Sequence, residues 1–124
     1  MTIHLQFRSA RIPLAALFLA ATALLAQDKQ APKFTGGDYQ KYWIDVCARC
    51  HGATGNGRDA KGSQLPDAGF DFTDSRKANR KKDADWVKVM QDGKEKMPAF
   101  KDKMTEAEIR EMITKVLRPF AAKS

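Results

Sequence analysis

Cysteine and histidine are the scarcest chemical resources of this chain, with two of each in 124 residues. Two cysteines cannot build a disulfide framework, and Cys47 and Cys50 stand too close together to close a long loop. A zinc site would have to borrow Asp or Glu to reach about four donors. The longest apolar run, IPLAALFLAATALLA at residues 12–26, is shorter than the roughly 20 residues a membrane-crossing helix needs. Internal repeats and low-complexity tracts are missing. A chain of 124 residues has room for one domain and a processing segment, not for separate cofactor and substrate domains. Charged residues make up 30%, an ordinary share for a folded protein, which argues against disorder throughout.

What is present begins with an export pattern. Arg8 and Arg11 precede the apolar run, small residues close it, and Gln27 and Asp28 restore polarity. Residues 1–26 therefore read as a cleaved secretory signal, cut after Ala26 or, on the stricter A-x-A pattern, after Ala23. The competing reading is an uncleaved anchor. No cysteine follows the run closely enough for lipid attachment. Cleavage after Ala26 leaves 98 residues with net charge +5, a periplasmic or secreted location and no membrane span. It also removes His4, so the exported protein keeps one histidine, His51.

Residues 27–36, QDKQAPKFTG, read as a flexible leader before a domain at 37–124. Tyr39, Trp43, Val46 and Cys50 recur at helical spacing, with Asp38 placed to favour the positive end of the helix. Residues 52–82 hold five glycines and Pro66 and are expected to be loop with one short helical turn. DADWVKVMQDG, from Asp83 to Gly93, predicts a helix with Asp83 as N-cap, Gly93 as stop, and Trp86, Val89 and Met90 on one face. Thr105 and Glu108 form a capping box. Ile109, Met112, Ile113, Val116 and Leu117 then make an amphipathic stripe that needs a partner, and Pro119 is expected to end it. The fold class is all-α: three main helices and a long glycine-rich loop.

Cys47-Ala48-Arg49-Cys50-His51 is C-x-x-C-H, the attachment signal for c-type haem. Two thiols on one short turn can add to the two vinyl groups at one porphyrin edge, and the next residue then offers an imidazole to the iron. A thioredoxin-like dithiol should follow a strand, yet here a helix precedes it. A simple Cys47–Cys50 disulfide explains neither His51 nor export. With one mature histidine, a second axial ligand within the chain is a Met, a Lys or nothing. Met90 and Met112 fall on apolar helix faces and Met104 just before a cap. Met97 stands in a loop before Pro98, which stiffens the backbone that presents its sulfur. An open or Lys-bound iron remains the alternative.

These pieces together resemble a small class I cytochrome c: a helix into CARCHG, the loop ATGNGR, a later helix into DGKEKMPAF and a terminal amphipathic helix, in that order over most of residues 37–120. The resemblance implies a helical fold around one covalent haem c, with His51 and Met97 as axial ligands and the first helix packed across the last. It also implies that a loop proline carbonyl accepts a hydrogen bond from the proximal imidazole. Pro66, the only proline between His51 and Met97, inherits that role. One departure stands out. Where the family commonly has a glycine facing an aromatic across the helix crossing, this chain has Tyr39, with Val116 as its match, so bulk is expected to have changed sides.

The function expected is a periplasmic electron carrier rather than an enzyme, since the one imidazole is committed to iron and no nucleophile–base pair is visible. Lys94, Lys96, Lys101 and Lys103 flank Met97 and suit a redox partner with an acidic docking surface. Arg76, Lys77, Arg80, Lys81 and Lys82 form a second cluster that reads as a solubilising surface. Nucleic acid is not an expected partner, and the carrier is expected to be a monomer. The alternatives are a haem subunit of a multi-subunit oxidoreductase and a gas-binding haem protein.

Overall fold

The structure, a computed structural model, describes residues 31–123, so the expected signal at 1–26 lies outside the described residues. Among these residues the regular structure is helical, with only two isolated β-bridges, Arg58 to Gln64 and Lys94 to Met97. Helix α1, residues 39–51, runs through an α-helical stretch Tyr39–Tyr42, a wider π-helical stretch Trp43–Cys47 and a last turn Ala48–His51. Asp38 is its N-cap, and its carboxylate accepts from the Gln40 and Lys41 N–H groups at 2.9 and 3.0 Å. Helix α2 is the short Ser75–Arg80, helix α3 is Asp83–Asp92, and helix α4, residues 106–122, again contains a π-helical stretch, Ile113–Leu117.

The capping box of α4 forms as read: the Glu108 carboxylate accepts from the Thr105 N–H, and the Thr105 hydroxyl accepts from the Glu108 N–H. The whole stripe Ile109, Met112, Ile113, Val116 and Leu117 is buried. Its partner is α1, where Tyr39–Tyr42 packs against Ile113–Leu117, while α3 packs on Glu106–Met112. Trp43 joins Ile109, Met112, Ile113 and Val116 among the largest fully buried side chains. At the helix crossing, Tyr39 stacks on Phe34 with ring centroids 4.8 Å apart, and the Lys115 ammonium lies 5.1 Å from the ring centre.

Four local expectations change. Pro119 does not end α4, which continues through Arg118–Ala122. The π-helical stretch before it shifts the hydrogen-bond register, and Pro119 falls in the first turn of the next segment, where a missing N–H costs little. Lys82, not Asp83, is the N-cap of α3, with the Asp85 carboxylate accepting from the Lys82 N–H at 3.0 Å. The buried face of α3 is Trp86, Val87 and Met90, and Val89 is half-exposed. Finally, the expected flexible leader does not hold for residues 31–36. Ala31 and Phe34 are buried, the Phe34 N–H donates to the Lys103 carbonyl at 2.9 Å, and the Tyr42 hydroxyl donates to the Pro32 carbonyl at 2.6 Å. One aromatic in a polar stretch was enough to anchor it, because Phe34 finds both Tyr39 and Tyr42.

Candidate haem site

The C-terminal end of α1 carries Cys47, Cys50 and His51, all half-exposed, and both thiols are free. The helix ends where Gly52 turns the chain, and the loop then folds back to satisfy carbonyls that the helix leaves open. The Gly57 N–H donates to the His51 carbonyl at 2.8 Å and the Gly69 N–H to the Cys50 carbonyl at 2.9 Å. The long glycine-rich segment is therefore tied to the motif at two points. Burial pushes the Cys47 thiol up to about 12, against a smaller opposing effect of Arg49. A redox-active dithiol needs the opposite, a depressed thiol. Among the described residues, no group of three or more His, Cys, Asp or Glu converges into a metal cage.

His51 is aimed by its surroundings. Its ring lies 5.2 Å from Phe72 and 5.7 Å from Trp43, centre to centre. Its Nδ1 is 3.2 Å from the Phe70 carbonyl oxygen. A carbonyl only accepts, so Nδ1 carries the proton and Nε2 keeps its lone pair for a metal. Burial holds the imidazole below its ordinary pKa, with the Phe70 bond opposing more weakly, which favours the neutral ligand form. Pro66 does not play the role expected of it: Phe70 supplies the carbonyl. The acceptor is set by the path of the loop, and Gly69, hydrogen-bonded to Cys50, brings the next residue's carbonyl to the ring. A Cβ on Gly69 would lie 2.2 Å from His51 Cε1, so only glycine fits there.

The methionines divide cleanly. Met90, Met104 and Met112 are buried in the core, whereas Met97 is half-exposed and packs against its margin. Met97 closes a tight hairpin: the Lys94 N–H donates to the Met97 carbonyl at 3.0 Å and the Met97 N–H to the Lys94 carbonyl at 2.8 Å. Gly93 (φ +76) ends α3 and lets the hairpin lie close, since a Cβ there would meet the Met97 carbonyl oxygen at 2.7 Å. Lys96 pairs with Asp67 across the two loops. Lys94 and Lys101 are exposed, and Lys103 is half-buried.

Two free thiols on one turn, a neutral imidazole with an uncommitted Nε2 and a loop thioether make a donor set that fits a covalently attached haem. The family model described as cytochrome c oxidase, cbb3-type, subunit III matches residues 36–114. The chain belongs to this family of c-type cytochromes. It is a small monohaem cytochrome of class I, an all-α haem protein of electron transfer. A solved structure titled "KustC0563 c-type cytochrome" is 24% identical, with TM-score 0.56 over 68% of this chain and 98% of that one, and it supports the fold. Comparison with curated proteins gives no match. Cys47 and Cys50 are the residues that would hold haem c. Among the described residues of this cytochrome, no helix is long and apolar enough to cross a membrane.

Sequence reasoning missed Phe70, Gly69, Asp67 and the packing of Phe72 between His51 and Trp86, with ring centroids 5.2 and 5.4 Å away. The Phe70 role has no signal in residue type, because every residue carries a carbonyl. Gly69 carried one, as a glycine that no tight turn demanded.

Proposed function

We propose that this cytochrome is a periplasmic carrier of single electrons, with His51 and Met97 as the axial ligands of one haem c bound through Cys47 and Cys50. The observation that carries the reading is the Nδ1 bond of His51 to the Phe70 carbonyl, which leaves Nε2 free to ligate. Met97 follows as the one mature methionine not committed to the core. The haem supplies a one-electron ferric–ferrous couple. The chain does the rest. Imidazole and thioether are both neutral, and burial among apolar side chains disfavours the extra charge of the ferric state, which raises the potential. Two protein ligands leave no position for substrate, so the chemistry is outer-sphere transfer. Exposed Lys94 and Lys101 beside the Met97 hairpin favour approach of an acidic partner, and the rate of that approach should fall with salt. Export by the signal at residues 1–26 places the carrier outside the cytoplasm.

A permanently docked haem subunit is the second reading, favoured by the oxidase-subunit description of the family model. Native mass measurement of protein from its source separates a monomer from a complex. The axial assignment is tested by Met97→Ala in the purified holo-protein. The spectrum should lose its six-coordinate low-spin form, the potential should fall, and carbon monoxide should bind the ferrous form much faster than in the parent. Equal carbon monoxide binding before and after the substitution would leave an open iron, and the gas-binding reading would stand instead.

A further inference from the structure

The hairpin that carries Met97 is strained and is held by an ion pair from another part of the chain. Glu95 has φ 53, the left-handed region, and is the only non-glycine residue there among the described residues. A side chain in that region costs stability that glycine would not. The next residue, Lys96, reaches across to Asp67, and the carboxylate accepts from its ammonium. Asp67 belongs to the loop that bonds the Cys50 carbonyl through Gly69 and His51 through Phe70.

We propose that Lys96 and Asp67 are positioning residues for Met97: their ion pair latches the strained 94–97 hairpin to the His51 loop and so sets how often the thioether swings away. The inference rests on the axial reading above. It also means that Lys96 is already neutralised and adds little to the positive rim. Both side chains are substantially exposed, 78% and 50%, so the latch is weak by construction. An exposed pair shifts an opening equilibrium by about two- to five-fold.

The test uses the full holo-protein and two readouts. One is hydrogen exchange at the Met97 and Lys94 amides, each of which donates to the other residue's carbonyl across the hairpin. The other is the affinity of the ferric protein for added imidazole, which rises with the fraction of open hairpin. Lys96→Gln and Asp67→Asn should each raise both by about two- to five-fold at low salt. The two together should do no more than either alone. The swapped pair, Lys96→Asp with Asp67→Lys, should return both readouts towards the parent, and 1 M salt should erase the differences. Glu95→Gly should lower both by about two- to five-fold by relieving the turn. Unchanged single variants, additive single effects or a swapped pair no better than the singles would overturn the latch. If Met97→Ala leaves imidazole affinity unaltered, the axial reading fails, and amide exchange alone then decides the latch.

Discussion

Gly69→Ala should damage this cytochrome more than its single methyl group suggests. An ideal Cβ at position 69 lies 2.2, 2.5 and 2.8 Å from Cε1, Nδ1 and Nε2 of His51. Ordinary carbon contacts need about 3.5 Å, so ring and backbone must separate by more than about 1 Å. Neither can move freely. The Gly69 N–H is bonded to the Cys50 carbonyl at 2.9 Å, the neighbouring Phe70 carbonyl is bonded to Nδ1, and Trp43 and Phe72 contact the ring. Overpacking costs about 1–3 kcal/mol and the broken, part-buried hydrogen bond about 1 kcal/mol more. At about 4–8 °C per kcal/mol for a domain of this size, melting of the holo-protein should fall by at least about 8 °C. The potential should rise, because an imidazole that loses its Nδ1 acceptor becomes a poorer donor to ferric iron. Gly62→Ala is the control: φ is +82 and nothing lies within 4 Å of the new methyl, so backbone strain of about 1 kcal/mol is its whole cost. The assay is thermal melting with a redox titration on parent and both variants. A Gly69→Ala protein that melts within about 2 °C of the parent with an unchanged potential would refute the packing argument.

Other variants probe what holds the site in place. Arg118 lies 4.2 Å from the centre of the Trp86 ring and donates to Asp83 and to the Ala78 and Lys81 carbonyls, so it ties α4 to the α2–α3 corner. Arg118→Ala should cost about 2–3 kcal/mol in denaturant unfolding, and an unaltered midpoint would show that the corner holds without it. Tyr39→Gly removes the ring stacked on Phe34 and places glycine in the first turn of α1, for about 2–3 kcal/mol on thermal melting; no change would show that the helix crossing does not depend on that bulk. Acid should destabilise the fold through Asp74, Asp92 and Glu106. Their carboxyls are held below their ordinary values of 3.8, 3.8 and 4.5 by bonds from the Lys77 N–H, the Lys88 ammonium and the Arg110 guanidinium, respectively. Depressed folded-state values mean that this stability is present above the ordinary values and is lost as pH falls through the folded ones. Melting temperatures at pH 7, 4 and 3 check this, and a flat profile would contradict it.

The parts of the molecule that could be read from its sequence are those where residue type itself carries the information. The capping box of Thr105 and Glu108, the stripe of α4 and the C-x-x-C-H turn depend on specific side chains at fixed spacing, and all three are where they were expected. Pro119 and Phe34 misled because local rules were applied where packing decided: a shifted helix register tolerates the proline, and two tyrosines capture the phenylalanine. The imidazole acceptor is the instructive case. A backbone carbonyl is available at every position, so the choice among them is made by the route of the chain, and no residue name marks it. Here the route is fixed when Gly69 lies against the imidazole and bonds Cys50, which leaves the Phe70 carbonyl, four residues past Pro66, as the group that faces Nδ1. The proline therefore was a poor marker for this chain, and the glycine that permits the contact was the better one.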